Sequence, residues 1–148
     1  MPTSVERDSN LRRIQRFIAN YALNLDLVAM MIFSLLPVKN GLVLSMDRTN
    51  WKFGEFNINI LTLGITYKGV AFPLLFSLLN KRGNSNWEER KDIMERFIRL
   101  FGHDCIDCLV ADREFIGKEW IGWLNDNRIR YYIRIRQDIW VVKPSTGE

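Results

Sequence analysis

Apolar residues recur at helical spacing between Asn10 and Tyr21, at Leu11, Ile14, Phe17, Ile18 and Tyr21, with Arg12, Arg13 and Arg16 on the other side. Positions three and four apart share one face of a helix, so this stretch predicts an amphipathic helix with a basic face. Asp26 to Leu36 is apolar nearly all round and is closed by Pro37, which predicts a second, buried helix. Beyond Val38-Lys39-Asn40-Gly41 the periodicity changes. Leu42-Val43-Leu44-Ser45-Met46-Asp47 and Cys108-Leu109-Val110-Ala111-Asp112 are short apolar runs that each stop on a carboxylate, the pattern of buried strands. Arg48 to Gly54 is charged and polar enough to read as a connection. Phe56 to Tyr67 then reads as a strand and Lys68-Gly69 as a tight hairpin turn. Val70 to Leu79 returns as a further strand, and Pro73 within it, unable to donate to a ladder, puts it at a sheet edge.

Ser85 and Glu88 fit a capping box opening a helix. Ile93, Met94, Phe97, Ile98 and Phe101 line one side of that helix, and Gly102 suits its end. A shorter helix, about Gly117 to Asp126, turns Trp120, Trp123 and Leu124 inward. Tyr131 to Arg136 is a last strand, alternating apolar and basic. The order strand, strand, strand, helix, strand, helix, strand predicts an α/β fold with a mixed five-stranded sheet. Its first three strands are antiparallel, and right-handed crossovers make the rest parallel. Such a sheet can set the first strand beside the fourth, bringing Asp47 and Asp112 together although 112 − 47 = 65 positions separate them.

Composition changes this picture only a little. A chain of 148 residues suits one domain, and 47% hydrophobic with 26% charged residues is ordinary for a globular protein. The net charge of +4 leans towards an anionic partner without forcing one. Cys105 and Cys108 form one C-x-x-C with His103 upstream, but a structural zinc site takes four ligands. The pair therefore reads as reduced thiols, one filling the core, and His103 as a cationic cap on the helix before it. Charged and polar residues precede any apolar run, and Leu27 to Leu36 is too short to span a bilayer. The expectation is a cytoplasmic protein with no membrane partner.

Two carboxylates on adjacent strand ends suit Mg²⁺ or Mn²⁺, hard cations that keep waters and substrate phosphates in their remaining positions. A pair of such ions can serve in-line displacement at a phosphodiester. The competing reading is that Asp47 and Asp112 merely begin loops and cap turns.

The residues around the two acids add to this. Asp47-Arg48-Thr49-Asn50-Trp51, Ala111-Asp112-Arg113-Glu114-Phe115 followed by Trp120, and Gly83-Asn84-Ser85-Asn86 resemble bacterial DDE transposases, in particular the insertion-sequence-four family, over roughly Leu11 to Arg136. The resemblance implies a ribonuclease-H-like catalytic core, present in part as residues 41–148, preceded by a helical N-terminal arm, residues 1–40. It implies cut-and-paste DNA transposition, with two Asp and one Glu holding Mg²⁺ or Mn²⁺. Asp47 matches the first acid and Asp112 the second. The third, a Glu in a Tyr-Arg-Glu-Lys signature, has no counterpart. Glu114 follows Asp112 too closely and is expected to point away, Glu119 lies on the outer side of a helix, and Glu148 is terminal. A truncated transposase with an incomplete site is therefore the expectation.

The partners implied are double-stranded DNA, at transposon ends and target, and another transposase protomer. Candidate nucleic-acid contacts are Arg48, Trp51, Lys81, Arg82, Arg113, Arg134 and Arg136. Each has a plainer reading: Arg113 can offset carboxylate charge, Trp51 can pack a core or loop, and the other basic residues can be solvated surface. Two other functions stay open: an inactive remnant that binds DNA or transposase, and a standalone ribonuclease-H-type nuclease.

Overall fold

The computed structural model describes residues 4–135. Helices α1 (Ser4–Asn20) and α2 (Leu25–Leu35) precede the strands β1 (Leu42–Phe53), β2 (Phe56–Tyr67) and β3 (Val70–Leu78). Then come α3 (Trp87–Phe101), β4 (Ile106–Ala111), a 3₁₀ turn (Arg113–Phe115), α4 (Lys118–Asp126) and β5 (Arg130–Ile133). One five-stranded sheet runs in the order β3-β2-β1-β4-β5. β1 is antiparallel to β2 and parallel to β4, β2 is antiparallel to β3, and β4 is parallel to β5. The mixed α/β sheet is the expected one, with β3 and its Pro73 at an edge.

Alternation fixes which face is core. Leu42, Leu44 and Met46 on β1, Leu61, Leu63 and Ile65 on β2, and Leu109 on β4 are all buried on one face. Against that face pack Ile93, Met94 and Phe97 of α3, Trp120 and Leu124 of α4, and Phe115. The opposite face carries no helix among the described residues. Phe76, Leu78 and Tyr132, which the strand registers place there, are 40%, 69% and 65% exposed.

Several expectations are corrected. β1 does not stop at Asp47 but continues to Phe53, pairing with β2 through Trp51↔Ile58 and Lys52↔Asn57. The polar Arg48–Gly54 stretch is thus mostly strand. An antiparallel partner satisfies its backbone whatever its side chains, so polarity alone misread it. The α3 cap is shifted by one residue: Asn86 accepts from the Glu89 N–H at 2.9 Å, and the Glu89 carboxylate accepts from the Asn86 N–H at 2.8 Å. Ser85 is instead buried against Arg90. His103 lies at the far end of α4, its Nε2 2.7 Å from the Asn127 carbonyl. It serves that helix rather than the one before it. Both thiols are buried, and one of them, Cys105, joins the core cluster.

The N-terminal helices are less covered than their sequences suggest. Leu27, Met30, Met31 and Leu35 of α2 and Leu11, Ile14 and Phe17 of α1 are exposed, with Tyr21 beyond. α2 is nonetheless tied down: Phe33 stacks on Phe101 with centroids 4.4 Å apart, and Asn24 caps its N-terminus. Asp26 reaches Arg96 at 2.7 Å and Arg99 at 3.1 Å on α3. Among the described residues no helix is long and apolar enough to cross a membrane.

Gly64 sits where β3 bulges against β2, and a Cβ there would meet the Phe72 carbonyl oxygen at 2.8 Å. Backbone cannot swing aside as a side chain can. Gly64→Ala is therefore expected to destabilise the fold by about 1–3 kcal/mol, read from the urea unfolding midpoint. Acid should loosen the α2–α3 tie as well. Arg96, then Arg99, hold the Asp26 carboxyl below its ordinary 3.8. A carboxyl depressed by folding contributes stability above its unfolded value and loses it as pH falls through the folded one. Asp26→Asn should thus flatten the acid side of a stability–pH profile taken from about pH 5 to about pH 2. An unchanged profile would mean the contacts of Arg96 and Arg99 with Asp26 contribute nothing.

Candidate functional site

β1 and β4 run in parallel as far as the pair Met46↔Ala111. The residue that follows in each case is an aspartate: Asp47 within β1, and Asp112 just past the end of β4. Adjacent strands lie about 4.8 Å apart, and residues in register share a face, so both acids stand side by side on the face away from the core. Both are exposed. They also lie at the carboxyl end of β4, where parallel strands of α/β sheets present ligand sites.

Local chemistry stops β4 at this point. The Asp112 side chain accepts from the Arg113 N–H at 2.8 Å, and its carbonyl accepts from the Phe115 N–H at 3.0 Å. Those two bonds start the 3₁₀ turn, and the fully buried Phe115 anchors it. Asp47 likewise accepts from the N–H of Arg48 at 2.7 Å. In each acid one oxygen is engaged by a neighbouring amide, and among the described residues neither forms an ion pair. Paired hard oxygens without a protein cation, open to water, fit Mg²⁺ or Mn²⁺. No group of three His, Cys, Asp or Glu able to hold a metal gathers among the described residues, so two carboxylates are what this part of the chain offers.

Arg48 follows Asp47 but points to the other face, as strand alternation requires. Its Nε and Nη2 donate to one oxygen of Glu114 at 3.1 and 2.8 Å. Nη1 reaches the Asn59 side-chain oxygen at 3.3 Å and Nη2 that of Asn84 at 3.1 Å. Buried Asn59 in turn donates to the Lys81 and Gly83 carbonyls at 3.1 and 3.0 Å. Arg90, on the core side of α3, donates to the Ser85 hydroxyl at 2.9 Å, the Ser85 carbonyl at 2.6 Å and the Glu114 carbonyl at 3.1 Å. Its guanidinium lies 5.0 Å from the centre of the Phe115 ring, and burial pushes its pKa down. Glu114 is thus committed to Arg48 and is not a third ligand beside the two aspartates.

The other candidate residues are distributed around this centre. Beyond Arg48 the β1–β2 hairpin and the loop after β3 enclose a cleft of about 340 Å³, lined by Trp51, Lys52, Asn57, Lys81 and Arg82 among others. Trp51 is 46% exposed. Lys81 pairs with Glu89 at 2.9 Å. Arg82 donates to the Asn57 side-chain oxygen at 2.9 and 3.3 Å when that amide is turned to face it. Arg113 is exposed beside Asp112. Arg134 stands next to Asp112 across the β4–β5 pairing, its N–H donating to the Ala111 carbonyl at 3.1 Å. Arg136 lies outside the described residues.

Sequence reasoning missed the Arg48–Glu114–Arg90 network, although signals for it existed. Arg48 continues the buried alternation of Leu42, Leu44 and Met46. Arg90 stands three, four and seven positions before Ile93, Met94 and Phe97, on their helix face.

No protein-family model and no curated protein matches the sequence. Likeness appears among solved structures. A chain of the simian T-cell lymphotropic virus intasome, in complex with PP2A regulatory subunit B56 gamma, superposes with a TM-score of 0.51 at 16% identity, over 68% of this chain and 36% of that one. The HTLV-2 integrase catalytic core domain, solved with magnesium in a dimeric form, gives 0.48 at 16% identity, over 66% and 62%. The large terminase of the thermophilic bacteriophage D6E gives 0.42 at 17%, over 68% and 24%. The chain therefore spans less than two thirds of the length of each. At these identities the likeness is one of fold, carried by the intasome chain: a ribonuclease-H-like mixed sheet.

Proposed function

We propose that this chain carries the first two carboxylates of a DDE transposase of the insertion-sequence-four type, acting on DNA in cut-and-paste transposition. The observation that supports this most is the β1–β4 register, whose last pair, Met46↔Ala111, directly precedes both aspartates on an open face, where among the described residues neither forms an ion pair. The shared fold is compatible with it and adds no chemistry of its own.

Mg²⁺ or Mn²⁺ held by Asp47 and Asp112 would supply Lewis-acid stabilisation of charge on phosphodiester oxygens. The protein's own residues do the rest. Asp47 and Asp112 present oxygens at fixed spacing. Arg113 and Arg134, flanking Asp112, meet the DNA backbone. Arg82 and Lys81 meet it at the cleft, where the half-exposed Trp51 ring offers a stacking surface for an unpaired base. A third acidic ligand would come from outside residues 4–135. Apolar faces left open on α1 and α2 suit a protein partner, a second protomer, for a helical arm over residues 1–40.

A second reading is favoured by one observation: among the described residues no third His, Cys, Asp or Glu joins a group able to hold a metal. On it the chain binds DNA or a complete transposase and does not cut.

Titrating a labelled duplex at several salt concentrations tests binding. Affinity should fall steeply with salt, and Arg82→Ala or Arg113→Ala should each reduce the slope by about 1. Trp51→Ala should weaken binding to single-stranded more than to duplex DNA, by about 1–3 kcal/mol. No binding at low salt would sink the first reading and the DNA-binding form of the second. Supercoiled plasmid with Mg²⁺ then separates them. Weak or no nicking fits an incomplete site, whereas strong cleavage abolished by Asp47→Ala would show that two acids suffice.

A further inference from the structure

β4 ends at Ala111, so the β1–β4 ladder reaches the two acids only through its last pair, Met46↔Ala111. Two adjacent carboxylates also repel. Beyond that pair, the ion pair between Arg48 and Glu114 ties the segment after β4 to β1. Arg48 is one residue from the first acid, and Glu114 is two residues from the second. The pair is largely shielded, with side chains 11% and 22% exposed, so water and salt weaken it less than an open surface pair.

Both ends of the pair are themselves fixed. Asn59 and Asn84 occupy other donors of Arg48. The backbone of Glu114 is held by buried Arg90, which is anchored on Ser85 and lies over Phe115. The segment from Asp112 to Phe115 is therefore gripped through the Glu114 side chain, the Glu114 carbonyl and the buried Phe115 ring. Among the described residues no comparable side-chain restraint acts on the solvent side, where the acids stand.

We propose that Arg48 and Glu114 form a positioning clamp that sets the Asp47–Asp112 spacing for a shared divalent cation. The clamp rests on the reading of the two aspartates as metal ligands. It assigns Arg48 a role inside the protein, in place of a contact to DNA. Arg48 and Glu114 are positioning residues: neither touches the cation, and each acts through the backbone it shares with an acid.

Mn²⁺ binding to the full 148-residue chain, followed by electron paramagnetic resonance, tests this. Arg48→Met and Glu114→Gln should each weaken Mn²⁺ binding about 10- to 100-fold, the range for residues that orient metal ligands. The double variant should be no worse than the worse single one, because the two act as a unit. Arg48→Lys, which keeps the charge but not the fork, should recover only part of the loss. Circular dichroism identifies any variant that fails to fold. Asn84→Ala, on an exposed loop, then stands in, removing one bond to Arg48 and giving a smaller loss in the same direction. Folded variants with wild-type Mn²⁺ affinity would overturn the clamp. So would losses that add, or an Arg48→Met protein that binds Mn²⁺ normally but DNA poorly. A wild-type chain that binds no Mn²⁺ at all would instead overturn the reading of the aspartates.

Discussion

The parallel pairing of β1 with β4 is the constraint on which the rest depends. Parallel neighbours cannot be joined by a tight turn, so β2, β3 and α3 all lie between them in sequence. The pairing also decides which residues meet. With Met46 opposite Ala111, the two aspartates 65 positions apart become neighbours (112 − 47 = 65). A slip of one residue on either strand would turn that strand's acid into the core. The buried rows Leu42, Leu44 and Met46 and Leu61, Leu63 and Ile65 forbid such a slip. Core packing on one face thereby fixes chemistry on the other.

Placing like charges together has a cost that this arrangement keeps small by leaving both acids in water. At about 5 Å, two unit charges in bulk water repel by under about 1 kcal/mol, and several times more near a protein surface. The backbone amides of Arg48 and Arg113 offset part of this by donating to one oxygen each. On the shielded face, opposite charges hold the same segments together. Repulsion at the open ligand pair and attraction at the covered Arg48–Glu114 pair thus act on the same few residues.

Much of the sheet was legible in the sequence, because alternation and the Asp-tipped runs are backbone-scale signals. Lys68-Gly69 and Pro73 fall at the turn and the edge for local conformational reasons that no tertiary context overrides. The misreadings share a different cause. Arg48 to Phe53 is polar yet forms strand, since pairing with β2 satisfies its backbone regardless of side-chain character. α2 is apolar yet half open, because covering a face depends on what packs there. The juxtaposition of Asp47 and Asp112 was legible, but the means of holding them was not. Arg48, Glu114 and Arg90 are distant in sequence and charged, so they read as surface until the fold places them in one network. The basic residues around the cleft remain of the kind whose partner sequence alone does not name.

Paramagnetic broadening of backbone amide NMR signals by trace Mn²⁺ addresses the central claim most directly, because it locates the ion as well as detecting it. Broadening should centre on residues 46–48 and 111–113 together and vanish in Asp47→Asn. Broadening spread over the acidic surface, or centred on another site and untouched by Asp47→Asn, would contradict a metal centre at the ends of these two strands.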